Sequence, residues 1–503
     1  MTLPGSRPGA RVSSGSVVPS PVPLSAVVDA VPRAELHGDP AISVVEAAFD
    51  SRSATPGCLF FCVPGAAADG HAFASDAAAA GSAALVVERW LPEADRPQIR
   101  VPSVRAAMGP MASVIFGRPS EAMTTVGITG TNGKTTITYL LESVFRAAGR
   151  RPGIVGTTGA RVDGAPVPLA HTTPEAPDLQ RLLAGMVAAG VDVVAMEVSS
   201  HALEQSRVDG VRFDVAAFTN LSQDHLDYHP SMDAYFEAKA RLFTPALARR
   251  GVVNADDAWG RRLLDDPTIP LTSFAVDGEA DLRAVDVRVD ASGIGFRVGA
   301  VTVRSPLRGG FNVTNALAAM AVAEALGIDA ATAARGVEDV RRVAGRMEPV
   351  EAGQNFLVVV DYAHTPDSIL NVLQAARPLT AGRIIVVFGC GGDRDRAKRP
   401  LMGAAAAANA DLAIITTDNP RSEDPMAIIA AVEAGARATG GAILVEPDRR
   451  AAIALAVDQA TDGDVVLIAG KGHETYQVFA DRTVEHDDRV VAREAIEARG
   501  GRT

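Results

Sequence analysis

Residues 124–136 read TTVGITGTNGKTT. An apolar, β-branched run closes on glycines at 127, 130 and 133 and a Gly-Lys-Thr, and the helix-like ITYLLESVFRAAG follows at 137–149. Strand, glycine loop and helix in that order form a phosphate cradle. Backbone N–H groups of Gly130, Thr131, Asn132 and Gly133 and of the helix start at Lys134, Thr135 and Thr136 face an anion, Lys134 reaches terminal phosphates, and Thr135 ligates Mg²⁺. The spacing departs from the standard P-loop, because Ile128 stands where its first glycine belongs and Gly127 comes one residue earlier. A chance glycine turn is the alternative reading.

Outward from this loop the same pattern recurs. VDVVAMEVSSH (191–201) and DVAAFTNLSQDHLDYH (214–229) are apolar runs closing on polar clusters, as are FLVVVDYAHTPD (356–367), RIIVVFGCGGDRD (383–395), DLAIITTDNPR (411–421) and DVVLIAGKGHE (464–474). Continuous runs of this length predict strands buried on both faces of mainly parallel sheets. Open sheets of that kind bind ligands beyond the carboxyl ends of their strands, so the clusters predict a cleft between two facing domains. Ahead of them, about 21–122 holds short strand-like runs in SVVEAAFDSRSATPGCLFFCVPG and SAALVVE and the helix-like VRAAMGPMASVIFG, the pattern of a small α/β module. The alanine-rich GAAAAANADL predicts a helix, and RRVAGRMEPV (341–350) marks a boundary. The expected division is a Ser/Pro/Gly-rich disordered tail at 1–20, then domains at 21–122, 123–345 and 346–503.

Length agrees, since 503 residues at roughly 150 per domain suggest about three. No apolar stretch of ~18 residues is present to span a membrane. A net charge of −12 argues against nucleic acid or an anionic membrane as partner, because both bind basic faces. The three cysteines, Cys58, Cys62 and Cys390, lack a paired metal spacing and fit a reducing cytoplasm.

Only four of the 48 basic residues are lysines: Lys134, Lys239, Lys398 and Lys471. A lysine that persists in so arginine-rich a chain points to chemistry a guanidinium lacks, since an ammonium can lose its proton and become a nucleophile. In YFEAKARLF (235–243), Lys239 falls in the middle of the helical face built by Met232, Tyr235, Phe236, Leu242 and Phe243. It either snorkels to water or is a desolvated amine. Glu197, at the end of the second run, is a candidate Mg²⁺ ligand, hard cations taking oxygen donors, with a solvated strand-end acid as the bland alternative. His225 ends the third run at the same sheet edge and is a candidate site residue, against a purely structural histidine.

GTNGKTT, MEVSSHAL, FTNLSQDHLDYH, FEAKARLF, FNVTNALAA, GRME, VDYAHTPDS, GCGGDRDRAKRP, DNPRSEDP and GKGHE together resemble the motif series of the Mur ligases, in the right order over roughly residues 45–490. The resemblance implies an α/β protein of three domains: an N-terminal UDP-binding α/β module, a central P-loop ATPase-like domain with a mainly parallel sheet, and a C-terminal Rossmann-like domain that takes the amino acid. It implies a cytoplasmic, monomeric ligase of peptidoglycan synthesis, and so of cell-wall biogenesis, cell shape and division. Its partners would be small molecules, UDP-N-acetylmuramoyl-L-alanyl-D-glutamate, ATP and a diamino acid, with no nucleic acid and no membrane insertion. The γ-phosphoryl of ATP would activate the glutamate γ-carboxylate as an acyl phosphate, which the amine attacks.

By matching position, the resemblance assigns Thr135 and Glu197 to one Mg²⁺ and His225 to a second. Lys239 matches the lysine this family modifies with CO₂ (N6-carboxylysine), whose carbamate oxygens join the metal shell; burial that lowers the amine's pKa makes such a reaction available. Asn312, Asn315, Arg346 and Asp361 match nucleotide contacts, with Arg346 reaching the γ-phosphate. Ser51, Thr172, Thr173, Ser199, Gln205 and Arg207 match contacts to the UDP-sugar peptide, although such hydroxyl residues also cap turns.

The motif at Asp418, Asn419, Pro420 and Arg421 resembles that of the members adding meso-diaminopimelate, and lysine-adding relatives depart from it. Arg421 would bind the distal carboxylate bidentately, with Arg394, Asn419, Gly470 and Glu474 as further contacts and Glu474 pairing with the distal ammonium. The plain alternative is that Arg421 pairs with Glu423 or Asp424. Three other functions stay open from sequence: the same reaction with L-lysine or another diamine, a folylpolyglutamate synthetase-like ligase, which lacks a separate N-terminal UDP module, and a nucleotide-binding regulator without turnover.

Overall fold

The computed structural model describes residues 20–65, 68–290 and 292–500; the expected tail at 1–20 lies outside them except for Ser20. The apolar runs are strands. Thr124–Thr129 runs parallel between Val193–Glu197 and Val215–Phe218, in the middle of a nine-stranded sheet that continues through Gly251–Asn254, Leu271–Ala275 and Leu282–Arg283. Alternate residues enter different layers. Val193 and Ala195 join a core with helices Lys134–Ala147 and Phe311–Ala325, whereas Val194 and Met196 join one with Tyr235, Phe236 and Phe243. Both faces are thus dry, which is why these strands read as unbroken apolar runs.

Two antiparallel features go beyond the expected mainly parallel sheet. Past Pro152–Gly156 the sheet edge is a hairpin, Gly159–Val162 with Ala165–Val167. Its turn is Asp163-Gly164 at φ 50° and 89°, the Asp-Gly pair that a two-residue hairpin favours. A separate three-stranded sheet, Val285–Asp290, Gly293–Val298 and Val301–Ser305, packs Ile294, Phe296 and Val303 into the core under the helix Phe311–Ala325.

The C-terminal sheet orders Glu348–Pro349, Leu357–Asp361, Val465–Ala469, Ile384–Phe388, Leu412–Ile415 and Ile443–Val445, all parallel but the first. GAAAAANADL supplies the end of helix Lys398–Asn409 and the start of strand Leu412–Ile415. The N-terminal sheet orders Glu35–His37, Gln98–Arg100, Ala84–Val87, Cys58–Phe61 and Glu46–Ala48, with the helix Val104–Ile115 across it; it is the first of the three main sheets in chain order, the nine-stranded sheet the second and the C-terminal sheet the third. Among the described residues no helix is long and apolar enough to cross a membrane.

The N-terminal helix docks on the central layer backbone to backbone. A Cβ at Gly109 would lie 1.7 Å from the Asp209 carbonyl oxygen, so only glycine allows this approach. Next to it, Arg105 pairs with Glu175 at 2.7 Å and Glu175 with Arg207 at 3.0 Å, a chain of charges that runs from the first sheet's helix to the edge of the second. Gly109→Val is expected to break this docking: thermal denaturation should begin several degrees lower, by a clash costing about 1–3 kcal/mol or more, and limited proteolysis should cut between the first and second sheets. An unchanged melting curve and digestion pattern would count against backbone docking.

Candidate functional site

The loop after Thr124–Thr129 is held by contacts of its own. Gly130 has φ 142°, and a Cβ there would sit 1.9 Å from the Thr219 hydroxyl oxygen, so the position admits no side chain. Thr219 Oγ1 donates to the Asn132 carbonyl at 2.7 Å, and Asn220 Oδ1 accepts from the Asn132 N–H at 2.9 Å. Thr131 Oγ1 meets the Ser222 carbonyl and the Tyr235 hydroxyl, each at 3.2 Å. Gly133, at φ 90°, is the N-cap of helix Lys134–Ala147, in which Thr135 and Thr136 are buried. The helix's positive end and its free N–H groups therefore open into the loop. Asn315 lies against Gly133 and donates to Asn312 Oδ1 at 2.9 Å.

Two ammonium groups converge on one oxygen here. Lys134 Nζ donates to the Gly130 carbonyl at 2.8 Å and to that of Thr131 at 2.8 Å, and Lys239 Nζ donates to the same Gly130 carbonyl at 3.0 Å. Lys239 is only 1 % exposed, and its Nζ lies 4.6 Å from the centre of the Tyr235 ring. The predicted apolar face is met in part: Tyr235 and Phe236 are buried on helix Met232–Ala240, Leu242 and Phe243 in the 3₁₀ turn Arg241–Phe243 that follows it, and Met232 is half-buried. The lysine does not snorkel. Burial, then the neighbouring charge of Lys134, pushes the Lys239 amine well below its ordinary pKa; Lys134 is lowered too, by burial first.

Glu197 ends its strand 1 % exposed and accepts from Thr135 Oγ1 at 2.9 Å, the Thr157 N–H at 2.9 Å and Thr157 Oγ1 at 3.0 Å. A solvated strand-end acid would look otherwise. Arg346 reaches across from the third sheet's side and donates to Thr135 Oγ1 at 3.0 Å, its guanidinium stacked 4.6 Å from the Tyr362 ring centre. A hydroxyl and a buried carboxylate side by side suit a hard cation. His225, at φ 56°, packs edge-on to His201 and Tyr235 and is lowered by desolvation. It stands in that ring cluster and not with Thr135 and Glu197. Among the described residues no three His, Cys, Asp or Glu side chains converge as a ready metal cluster.

A second group forms at the same edge from Thr172, Thr173, Ser199, Gln205 and Arg207. Thr173 Oγ1 donates to the Glu197 carbonyl at 2.8 Å, Arg207 donates to the Thr173 carbonyl at 3.1 Å and to Gln205 Oε1 at 2.7 Å, and Thr172 and Thr157 hydroxyls lie 3.2 Å apart. Ser199 caps the helix Ser200–Glu204 through the Ala202 N–H, the turn-capping role weighed from sequence. Ser51 is positioned by another element, the 3₁₀ turn Ser51–Ser53 of the N-terminal region.

On the third sheet, Asp361 is buried and raised by desolvation, and its two oxygens accept from the N–H groups of Met347 and Ala363. It holds the crossing segment that carries Arg346. Arg421, at φ 52°, donates to the Gly392 carbonyl at 2.6 Å and forms no ion pair among the described residues. Its sequence neighbours are engaged elsewhere: Glu423 with Arg399 at 2.8 Å and Arg396 at 3.2 Å, Asp424 as a helix cap. Burial, then the charge of Arg394, disfavours the Arg421 cation. Asn419 Nδ2 donates to Glu474 Oε2 at 3.0 Å, and Gly470 lies against the Asp418 carboxylate. The site thus has a glycine loop at a helix N-terminus on one side and, on the other, a guanidinium with no carboxylate partner among the described residues. His473 Nε2 lies 3.1 Å from the Thr157 carbonyl, and Asn132 Nδ2 donates to Asp367 at 3.3 Å, so the two sides touch.

Sequence reasoning missed several participants. Glu175 and Arg105 brace Arg207. Gln477 donates to the carbonyls of Thr417 and Asp418 at 3.3 and 2.8 Å, and Val478 bonds Asn419 and Arg421, so the hairpin from Tyr476 clamps the Asp418–Arg421 loop. Lys398 donates to the His364 carbonyl at 3.0 Å, near Asp224, a half-buried carboxyl whose desolvation, which raises its pKa, is outweighed by His225, His364 and Lys398, so that it lies below its usual value. The rarity of lysine was the available signal: all four donate to strand-end loop atoms of the two facing sheets.

Three family models match the chain: the Mur ligase family catalytic domain over residues 46–114, the Mur ligase middle domain over 128–323 and the Mur ligase glutamate ligase domain over 345–472. A Geobacillus thermodenitrificans protein named UDP-N-acetylmuramoyl-L-alanyl-D-glutamate--2,6-diaminopimelate ligase is 45 % identical across 95 % of this chain and 99 % of its own. One of the same name from Streptomyces coelicolor is 44 % identical across 100 % of both chains. A solved structure of that name superposes with a TM-score of 0.69 at 34 % identity, covering 96 % of this chain and 100 % of that one. The Mycobacterium tuberculosis folylpolyglutamate synthase has a TM-score of 0.60 at 19 % identity, covering 79 % of this chain and 95 % of its own, a likeness of fold alone.

Gly130→Ala should move the loop by about an ångström against Thr219 and lower turnover on the order of 10²-fold, with circular dichroism unchanged. Wild-type rates in the folded variant would show that the close approach is not required.

Proposed function

The chain belongs to the Mur ligase family, and we propose that within it the protein is the ATP-dependent ligase that adds meso-diaminopimelate to UDP-N-acetylmuramoyl-L-alanyl-D-glutamate, a step of peptidoglycan precursor synthesis. The observation that carries the substrate is Arg421, a half-buried guanidinium with no carboxylate of its own among the described residues, one sheet edge away from a phosphate loop. The region 21–122 would hold the UDP-sugar, 123–345 ATP and 346–503 the amino acid.

In the first half-reaction a glutamate γ-carboxylate oxygen attacks the γ-phosphorus of ATP and the bond to the β-phosphate oxygen breaks, giving acyl phosphate and ADP. In the second the amine attacks the acyl carbon, phosphate leaves, and one amine proton is lost as the amide forms. Loop N–H groups and Lys134 hold the transferring phosphoryl group, and Arg346, fixed on Thr135, offsets its developing charge across the closed cleft. Thr135 and Glu197 would hold one Mg²⁺ and His225 a second, and the ions would neutralise charge between the two anionic substrates. Thr172, Thr173, Gln205 and Arg207 orient the peptide end whose carboxylate reacts. Arg421, Arg394 and Glu474 hold the far end of the diamine, so that its other amine points towards the loop.

Lys239 fits CO₂ capture. Its amine is buried, forms no ion pair among the described residues and shares its acceptor with another cation, which together outweigh the opposing charge of Asp224 and favour the neutral nucleophile. Attack on CO₂ forms the N–C bond and releases a proton. The resulting carbamate exchanges a second positive charge beside Lys134 for an oxygen donor. Three free, buried cysteines accord with a cytoplasmic setting.

With all three substrates, phosphate release should be fast with meso-diaminopimelate and slower with L-lysine on the order of 10⁴-fold, since an unpaired buried donor opposes the wrong substrate. Equal rates would remove the Arg421 argument. Lys239→Ala should lose activity on the order of 10²- to 10³-fold, partly restored by added acetate or formate. Full activity of that variant would exclude the carbamate.

A further inference from the structure

Lys471 is fully buried, with 0 % of its surface exposed, and it lies behind the diamine pocket. Its Nζ donates to Glu474 Oε2 at 3.1 Å and to Asn419 Oδ1 at 3.2 Å, while Asn419 Nδ2 donates to the same Glu474 Oε2 at 3.0 Å. These three groups form a closed triangle, and Glu474 Oε1 carries no hydrogen bond among the described residues. The carboxylate assigned to the substrate's distal ammonium therefore already has a counter-cation. Other charges nearby are Arg421 with Arg394 close to it, Asp418 against Gly470, the buried Arg449, which is paired with Asp488 and also feels Asp418 and Glu474, and Asp393, which is exposed and bonded to Ser422.

We propose that Lys471 is a specificity-determining residue which, by holding Glu474 as an ion pair, admits a side chain that brings an ammonium and a carboxylate together and rejects one that brings an ammonium alone. The proposal rests on the diaminopimelate reading above and extends it to a residue behind the pocket. A distal ammonium that approaches Glu474 must share the carboxylate with Lys471, and two cations are then held near one anion. Meso-diaminopimelate offsets this with its own carboxylate, which lies beside the ammonium and pairs with Arg421. L-lysine supplies the charge with no such offset, so the repulsion falls on it selectively. This is discrimination by a built-in unfavourable contact, added to the favourable one at Arg421. Lysine suits the position where arginine, used nearly everywhere else in the chain, does not: the ammonium is compact enough for a fully enclosed place between two side chains.

The test uses the full-length protein with saturating ATP and UDP-dipeptide and measures kcat/KM for meso-diaminopimelate and for L-lysine in the wild type, Lys471→Met and Lys471→Gln. Loss of the cation should raise kcat/KM for L-lysine at least about tenfold while the value for meso-diaminopimelate changes by much less and KM for ATP stays constant. A merely structural lysine would lower both substrates alike, and that result overturns the proposal. The glutamine keeps a donor without the charge, so it should behave as the methionine does. A glutamine variant with wild-type selectivity would show that hydrogen bonding and not charge is what counts, and would also overturn it. Should neither variant fold, the wild type decides: L-lysine should be no better a substrate than uncharged L-norleucine, and a tenfold advantage for L-lysine refutes the claim. A wild type that releases no phosphate with meso-diaminopimelate fails the substrate reading itself, and the proposal falls with it.

Discussion

The backbone carbonyl of Gly130 accepts from two lysines, and much of the site depends on that arrangement. The strand that delivers this carbonyl is buried on both sides, and Gly130 itself is pressed against Thr219 with no room for a Cβ. The oxygen cannot move away. Lys134 is tied to it from the helix that follows the loop and Lys239 from a helix about a hundred residues later. Two like charges held in a dry place are unstable as such, and the strain is relieved when one amine gives up its proton. An anionic ligand on the loop and a modified lysine are two routes to the same neutralisation.

Around that point the sheets are joined by polar contacts at strand ends, with limited apolar packing beside them: Ala176 and Ala184 enter the N-terminal core and Phe311 packs against the C-terminal one. Arg346 to Thr135, Asn132 to Asp367 and His473 to the Thr157 carbonyl connect the second sheet to the third; Arg105, Glu175 and Arg207 connect the first to the second. Such contacts form and break with little change in buried apolar area, which suits a reaction that needs three substrates to enter and products to leave. Asp361 contributes indirectly. By binding the N–H groups of Met347 and Ala363 it fixes the crossing segment, and with it the direction in which Arg346 points.

Recognition of the diamine follows the same economy of charge. Among the described residues Arg421 is left without a carboxylate because Glu423 is taken by Arg399 and Arg396 and Asp424 by a helix end. Its left-handed backbone is held by the Val478 carbonyl of the hairpin from Tyr476, and Gln477 holds the two residues before the motif's asparagine. A free cation is thus maintained by neighbours that have other partners.

The sequence by itself determined the elements and most of their chemistry. Unbroken apolar runs ending in polar clusters specify doubly covered parallel strands, and the strand, glycine loop and helix and the apolar spacing around Lys239 marked where to look, because each of these signals lies within about a dozen consecutive residues; that Lys239 is desolvated and does not snorkel was decided by the packing. The Asp163-Gly164 hairpin carried an equally local signal that the sequence reading missed. What only the tertiary structure decided were relations between distant segments: that Lys134 and Lys239 meet on one oxygen, that Glu175 braces Arg207, that Asp361 serves the backbone, that Arg421 lacks a carboxylate while Glu474 has Lys471. Spacing along a chain encodes periodicity and turns, whereas which charge is compensated depends on what packing brings within about 4 Å, and for that the whole fold must be in place.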